Sequence, residues 1–361
     1  MIAINNSIQQ TLIFCIVFFA VLFLFISTKK SEELFPNSVT KELKGLAIFG
    51  VIFCHIGYFL VTDPRFLYPL STIAGISVDL FLFLSGLGLT LSTLKKSQSV
   101  KNFYTSHLSK LFTPFWIVLI GFLSLDFLVL HIHYPWQDIL KAFFGIFTRA
   151  DIYKDFDSPL WYFTFILFYY LLFPLVFNKK YPWLSALIIY TASYFILTLN
   201  LSWIQNVSYF YSLHIVAFPL GICAAWLLQM KTDALLKIKS KFQSGIFHYS
   251  LITFLLLGIG YLSYHSGTGT VNTQQWVSIC AVLAIILLFL IKNIECKLLY
   301  IFGIYSYEIY LFHWPLMYRY DFLYHHLPAS LATILYLALF IPLAWLLQKI
   351  SHYIDKVVFK M

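Results

Sequence analysis

Charge is what this 361-residue chain has least of: 11% of it is Asp, Glu, Lys or Arg, against roughly a quarter of an ordinary soluble domain. So little charge cannot cover the surface of a soluble globular protein of this length, and that class is excluded. The sequence also lacks a Cys-x-x-Cys pair, a glycine-rich phosphate loop and a Gly-x-Ser-x-Gly elbow, which removes the thiol-redox, nucleotide-cradle and serine-hydrolase readings those motifs carry. Its five cysteines (Cys15, Cys54, Cys223, Cys280 and Cys296) are an odd number and four fall in apolar runs, so no disulfide framework is expected. Acidic residues are scarce relative to basic ones, giving a net charge of +9, yet the bases sit in short segments between apolar runs. That placement fits membrane orientation, and no nucleic-acid partner is expected.

What the chain has in abundance is apolar and aromatic residues, 60% and 20% of the total. Apolar runs recur from end to end, each long enough to cross about 30 Å of hydrocarbon. Flanking polar and turn residues divide them into eleven candidate helices, about 11–27, 44–62, 70–94, 112–130, 159–177, 183–200, 209–229, 246–264, 274–291, 298–317 and 328–348. The first lacks a preceding positive flank and a following small-residue cleavage site, and is expected to remain as a span. The fold class is therefore an all-α polytopic membrane helix bundle. Trp136, Trp161, Trp183 and Trp203 fall near the expected interfaces, as aromatic belts do.

Basic residues alternate across the connections. One set of segments holds 19 of them: Lys29, Lys30, Lys41, Lys44, Lys95, Lys96, Lys101, Lys110, Lys179, Lys180, Lys231, Lys237, Lys239, Lys241, Lys292, Lys297, Lys349, Lys356 and Lys360. The opposite set holds 5: Arg65, Lys141, Arg149, Lys154 and Arg319. Because cytoplasmic connections keep the positive charge, the N-terminus is expected outside and the C-terminus in the cytoplasm. The one sizeable outer loop is expected over His131 to Ser158, with Trp136, Arg149, Asp155 and Asp157 in it, and no soluble domain is expected at either end.

Six ionisable residues interrupt the spans: His55, Asp79, Asp126, His214, Glu308 and His313. Each costs about 2.5–3.5 kcal/mol at a helix centre, so such groups face a protein interior or a wet cavity. His55 lies eleven positions after Lys44, and Glu308 eleven after Lys297, a depth of about 16 Å at 1.5 Å per residue. Asp79 reaches a similar level from the other side. A histidine beside a carboxylate is a general base, since the carboxylate fixes the tautomer and stabilises the imidazolium; Asp79 or Glu308 is expected to do this for His55. One buried polar residue more simply fixes packing between helices. Three at one depth, with Ser77, Ser85, Ser306 and Tyr307 nearby, point to a site. Four histidines of the outer loops (His131, His133, His325 and His326) are weighed as zinc ligands, but no second shell or fixed geometry is visible and histidines are common at outer interfaces, so no metal is expected.

Five motifs then fall in order. Lys41-Glu-Leu-Lys-Gly-Leu-Ala with Phe53-Cys-His55 sets Lys44, ten residues, then His55. Ser77-Val-Asp79-Leu-Phe-Leu-Phe-Leu-Ser85-Gly86, the stretch Phe103-Tyr104 through Lys110-Leu-Phe-Thr-Pro114, Pro159-Leu-Trp161-Tyr-Phe and Ser306-Tyr-Glu-Ile-Tyr-Leu-Phe-His313-Trp-Pro315 follow. Together they resemble the acyltransferase-3 family of integral membrane acyltransferases over about residues 41–349. The resemblance implies an extra N-terminal transmembrane helix and linker over 1–40, a ten-helix acyltransferase core over 41–349 and a cytoplasmic tail over 350–361.

It also implies transfer of an acyl group, often acetyl, from cytoplasmic acyl-CoA as donor to a hydroxyl of a carbohydrate or other envelope acceptor outside. The setting would be a bacterial cytoplasmic membrane, with membrane lipid and the acceptor as partners. A separate periplasmic or extracellular acyl-accepting protein is a further expected partner if transfer is not direct. His55 would be the base, with Asp79 and Glu308 as catalytic candidates. Lys44, His107 and Lys110 would hold the donor phosphates, and Ser85, Trp161, Ser306 and His313 would form the substrate or structural motif.

Two departures stand out. His107 and Lys110 occupy a spacing where the family usually has arginines, replacing planar forks with an imidazole and a point charge. No glutamate follows the Pro-Leu-Trp motif, where Thr164-Phe165-Ile166-Leu167 stand instead. A transporter or flippase using Asp79, Glu308, His55 and His214 as a polar path is the rival reading, and a scaffold subunit a third. The spacing of Lys44 to His55 discriminates, since a transporter has no reason to keep it.

Overall fold

The computed structural model describes residues 1–28, 33, 35–96, 98–149, 158–242 and 245–359. Lys29, Lys30, Lys154, Asp155, Asp157, Lys360 and the side chain of Lys241 lie outside the described residues. In chain order the elements are α1 Ser7–Leu24, β1 Ile26–Thr28, α2 Asn37–Cys54 with a π-helical turn His55–Leu60 after it, α3 Ala74–Lys95, α4 Val100–Leu128, α5 Trp136–Phe143, α6 Trp161–Val176 and α7 Pro182–Thr198. There follow α8 Ser208–His214, α9 Ala217–Met230, α10 Thr232–Phe242, α11 Gly245–His265, α12 Val271–Ile291, β2 Ile294–Cys296, α13 Lys297–Ile304, α14 Ser306–Tyr318, α15 Leu323–His326 and α16 Ala329–Phe359.

Among the described residues, eight helical segments are long and apolar enough to cross a membrane. The helices α6 and α7 are apolar but shorter, and α13 and α14 form one apolar segment interrupted at Tyr305. These match the eleven runs of the sequence, and the chain is a multi-pass all-α membrane bundle. Two boundaries differ from expectation. The basic stretch around Lys101–Lys110 is helical, because Ser99 caps α4 by accepting the Asn102 N–H at 3.2 Å and the helix runs on through Pro114. The last helix continues to Phe359, through the segment read as a tail. A short antiparallel pair, β1 with β2, is an addition.

The lysine-rich connections gather at one end of the bundle. There β1 pairs with β2, Lys239 Nζ donates to the Glu33 carbonyl at 2.8 Å and Lys41 Nζ to the Tyr300 hydroxyl at 3.1 Å. At the opposite end Ile2 bridges to Val61, the Thr11 hydroxyl accepts the Leu67 N–H, and Ser330 donates to Gln10. Asp126 is fully buried there and binds Arg319, Tyr134 and Tyr320, so this carboxylate ties the loops together.

Two glycine-mediated crossings position everything that follows. A Cβ on Gly45 of α2 would overlap the Leu299 carbonyl, and one on Gly303 of α13 would overlap that of Lys41. Likewise a Cβ on Gly86 of α3 would overlap the Phe218 carbonyl, and one on Gly221 of α9 that of Phe83. Backbone thus lies against backbone at both crossings, the close approach that small residues permit between membrane helices. Phenylalanine fills the space around them: Phe14 and Phe18 of α1 pack on Phe49 and Phe53 of α2, which docks the first helix on the bundle.

Candidate active site

Three histidines inside the bundle sit on helices that are interrupted or irregular. His55 opens the π-helical turn, His214 ends α8 just before the chain turns into α9, and His313 lies in α14, restarted after the Tyr305 break. Irregular backbone at membrane depth is tolerated where protein covers it or where it lines a cavity, and π-turns concentrate at functional sites.

His55 and His313 are each ten residues beyond the glycine of their crossing, on helices that run the same way from the lysine-rich end. Equal offsets bring them to one level. The His55 Nδ1 lies 2.8 Å from the His313 Nε2, and the ring planes are 3° apart. The His313 Nδ1 is 3.0 Å from the Ile309 carbonyl and 2.9 Å from that of Tyr310. Carbonyls only accept, so that nitrogen carries the hydrogen. In a neutral ring its Nε2 then holds a lone pair and accepts from the His55 Nδ1–H. By this logic the His55 Nε2 is left bare. His313 is fully buried while His55 is partly accessible, so the bare nitrogen belongs to the ring a substrate can reach.

Asp79 is not beside His55. Its Oδ1 is 2.8 Å from the His214 Nδ1, and its Oδ2 accepts the Ser278 hydroxyl. The cause is the second crossing. Asp79 lies seven residues before Gly86, and His214 seven before Gly221, two turns in each case. The face that brings Gly86 against α9 therefore turns Asp79 toward His214, away from α2. Helix direction and glycine position, not shared depth, decide the pairing.

Glu308 stands in the first turn of α14, where a carboxylate suits the helix dipole. One of its oxygens accepts from Gln348 Nε2 at 3.2 Å, and the other is buried without a hydrogen-bond partner among the described residues. Lys44 is the cation whose charge acts on it, although the two make no ion pair within 4 Å among the described residues. Around them Lys44, Ser85, Tyr162, Tyr170 and Tyr307 are partly accessible although helices surround them, so the interior between α2, α3, α6 and α14 is not fully packed.

The remaining residues expected at a site are dispersed. His107 stacks on Phe103 at 4.2 Å and bonds its own helix through the Phe103 carbonyl, Lys110 is exposed, and no contact joins either to Lys44. The Ser85 hydroxyl donates to the Phe81 carbonyl and lies beside Tyr170 of α6, and that of Ser306 donates to the Gly303 carbonyl across the break between α13 and α14. The Trp161 ring lies between Phe210 and His214, beside the Asp79 pair. Tyr310 donates to the Pro159 carbonyl at 2.8 Å, tying the Pro-Leu-Trp motif to α14.

Sequence reasoning noted His214 but gave it no role, and missed Ser278. The available signal was the matching seven-residue offset of Asp79 and His214 from a glycine. Among the described residues no three His, Cys, Asp or Glu side chains converge as metal ligands would; His325 instead pairs with Asp321 at 2.6 Å.

Against known proteins, the profile of a family described as an acyltransferase domain matches residues 43–349. No curated protein matches the chain, and no solved structure does.

Proposed function

This chain belongs to the acyltransferase-3 family of integral membrane acyltransferases, and from that premise we propose that it moves an acyl group, acetyl first among the candidates, from acyl-CoA to a hydroxyl of an acceptor across the bundle. The lysine-rich end faces the cytoplasm, by the charge rule, and receives the donor. Lys44 supplies a cation beside the interior space there, and the thioester end of the donor reaches inward toward His55. The acceptor, an envelope carbohydrate or related molecule, comes from the opposite end.

His55 is the general base. Its Nε2 takes the hydroxyl proton as the oxygen attacks the thioester carbonyl; the C–S bond then breaks, and the departing coenzyme A thiolate takes up that proton, while the Nδ1–H stays directed at His313. His313 is a positioning residue: two helix carbonyls hold its tautomer, and that tautomer holds the one His55 needs. The observation that carries this reading is the chain of hydrogen bonds from the carbonyls of Ile309 and Tyr310 through His313 to His55. The unpaired oxygen of Glu308 supports a donor-side role, as an acceptor for an amide hydrogen of the donor arm.

The test is release of coenzyme A from acetyl-CoA by purified protein in lipid nanodiscs, with envelope glycans supplied as acceptors. Wild type is expected to release it, and His55→Ala and Lys44→Ala to lose most of that activity while remaining folded and monodisperse. Equal rates for wild type and His55→Ala would remove His55 from the chemistry. Absence of both donor binding and turnover would favour transport, measured next as flux across liposomes.

A further inference from the structure

The Asp79 pair is not needed for the chemistry assigned to His55, yet it is built with as much care. Asp79 is fully buried, both of its oxygens are engaged, and one of them fixes His214. Since the His214 Nδ1–H is directed at the carboxylate, its Nε2 is the acceptor of the neutral ring, and that nitrogen has no partner among the described residues.

His214, Asp79 and Ser278 line a cavity of about 390 Å3, inside the roughly 300–1,000 Å3 range of small-molecule sites. The cavity opens at the lysine-poor end, where the loop after α11 meets the turn Leu70–Ile73 and the Ser266 hydroxyl approaches the Thr72 carbonyl at 3.4 Å. Cys54 and Tyr58, which flank His55 in the chain, also line it, so the cavity lies beside the residue assigned as base.

Its chemistry is selective. Eight of the sixteen lining residues carry a hydroxyl, and none is Lys or Arg. The Ser71 hydroxyl, fully buried in its wall, has no hydrogen-bond partner among the described residues. Unpaired buried polar groups are costly, so a bare imidazole nitrogen and a bare hydroxyl in one cavity ask for a ligand that both donates and accepts. A sugar hydroxyl does both. A phosphate or carboxylate would find no cation and would face the Asp79 carboxylate.

We propose that this cavity binds an uncharged polyhydroxyl unit of the acceptor, with the His214 Nε2 accepting a hydrogen bond from one of its hydroxyls and Asp79 and Ser278 holding His214 in place. The proposal rests on the acyltransferase reading for its purpose, but its geometry stands apart from His55. His214 is a positioning residue for the acceptor.

The test is photoaffinity labelling of the full chain in nanodiscs, without acyl-CoA, using a methyl glucoside that carries a diazirine. Label is expected on peptides spanning Ser71–Gly75 and Ser263–Thr268, displaced by excess methyl glucoside and not by glucose 6-phosphate. His214→Asn keeps a donor toward Asp79 and loses the bare nitrogen, so labelling should fall about tenfold, the loss of one good hydrogen bond, with the thermal midpoint unchanged. Gln274→Lys at the rim should let glucose 6-phosphate compete, a gain that misfolding cannot imitate.

Label scattered elsewhere, no label above background, equal competition by glucose 6-phosphate against wild type, or undiminished labelling of His214→Asn would each overturn the proposal. Coenzyme A release, measured separately, keeps the two readings apart: release by wild type without specific labelling rejects this cavity alone, and labelling without release rejects the acyltransferase assignment alone.

Discussion

His55 with His313 and His214 with Asp79 are built on one plan with different parts. In each, two helices running the same way cross at a glycine contact, and the paired side chains stand at equal offsets from their glycines, ten residues in the first and seven in the second. Each pair fixes an Nδ1–H and leaves an Nε2 lone pair. The partners differ. His55 leans on a neutral ring that is itself held by backbone carbonyls, and His214 on a carboxylate that also holds a serine. A ring held in one tautomer by a neutral neighbour keeps its Nε2 free to take a proton and give it back, which suits turnover. A ring anchored to a carboxylate suits holding a hydroxyl in one orientation. The same backbone device thus serves a base at one crossing and a binding contact at the other.

The sharpest way to break this comparison is to remove the two imidazoles in turn. His55→Ala should lower acyl transfer by about 10²–10⁴, the usual range for a general base. His214→Ala should act mainly by raising the acceptor concentration needed for half-maximal rate. Equal losses of maximal rate, read from acceptor titrations, would erase the distinction.

The shared plan is tested next through the glycines. Gly303→Ala and Gly221→Ala each push a methyl group into a carbonyl of the facing helix, an overpacking worth about 1–3 kcal/mol. Both should lower the thermal midpoint, and each should disable its own pair first: the former reduces coenzyme A release, the latter acceptor labelling. Asp79→Ala should cost a similar amount, about 1–3 kcal/mol, because the His214 N–H and Ser278 hydroxyl lose their acceptor.

A base that already holds a proton cannot take another, so turnover should fall once the medium is acid enough to protonate the His55 imidazole within the bundle. A rate with no acid-side fall at any pH where the protein stays folded would count against an imidazole base.

The smallest effect belongs to a charge pair remote from both crossings. Hydrogen bonds from Arg65 hold the Asp63 carboxyl well below the usual carboxylate range. A depressed folded-state value means that any stability it lends is present above the ordinary carboxylate range and lost only as pH falls toward strong acid. The pair is on the surface, so Asp63→Asn should leave the thermal midpoint at neutral pH unchanged.

Much of this molecule was legible in its residues. Hydropathy alone located all eleven apolar segments, because lipid selects length and composition directly. The family was legible in the spacing of Lys44 to His55 and in four further motifs. Pairing was not. Asp79 and His55 reach similar depths, and nothing in one sequence says which face of α3 meets α2 and which meets α8. That choice is made where Gly86 lies against α9, a contact between residues more than a hundred positions apart. The partner of His55 was equally hidden: His313 was read as part of a motif, while the expectation of a carboxylate pointed to Asp79 or Glu308. The helical start of the basic stretch was hidden because Lys101, His107 and Lys110 interrupt the apolar run on which the span from 112 rests, while α4 begins at Val100.

The most direct test of the central claim, that His313 fixes the tautomer through which His55 acts, is the acyl-transfer rate of His313→Ala beside His313→Gln in the same nanodiscs. Glutamine offers a carbonyl oxygen to the His55 Nδ1–H and alanine offers nothing. The prediction is a loss of about 10² for alanine, with roughly tenfold of it recovered by glutamine. A His313→Ala protein that is folded and transfers acyl groups at the wild-type rate would contradict the account.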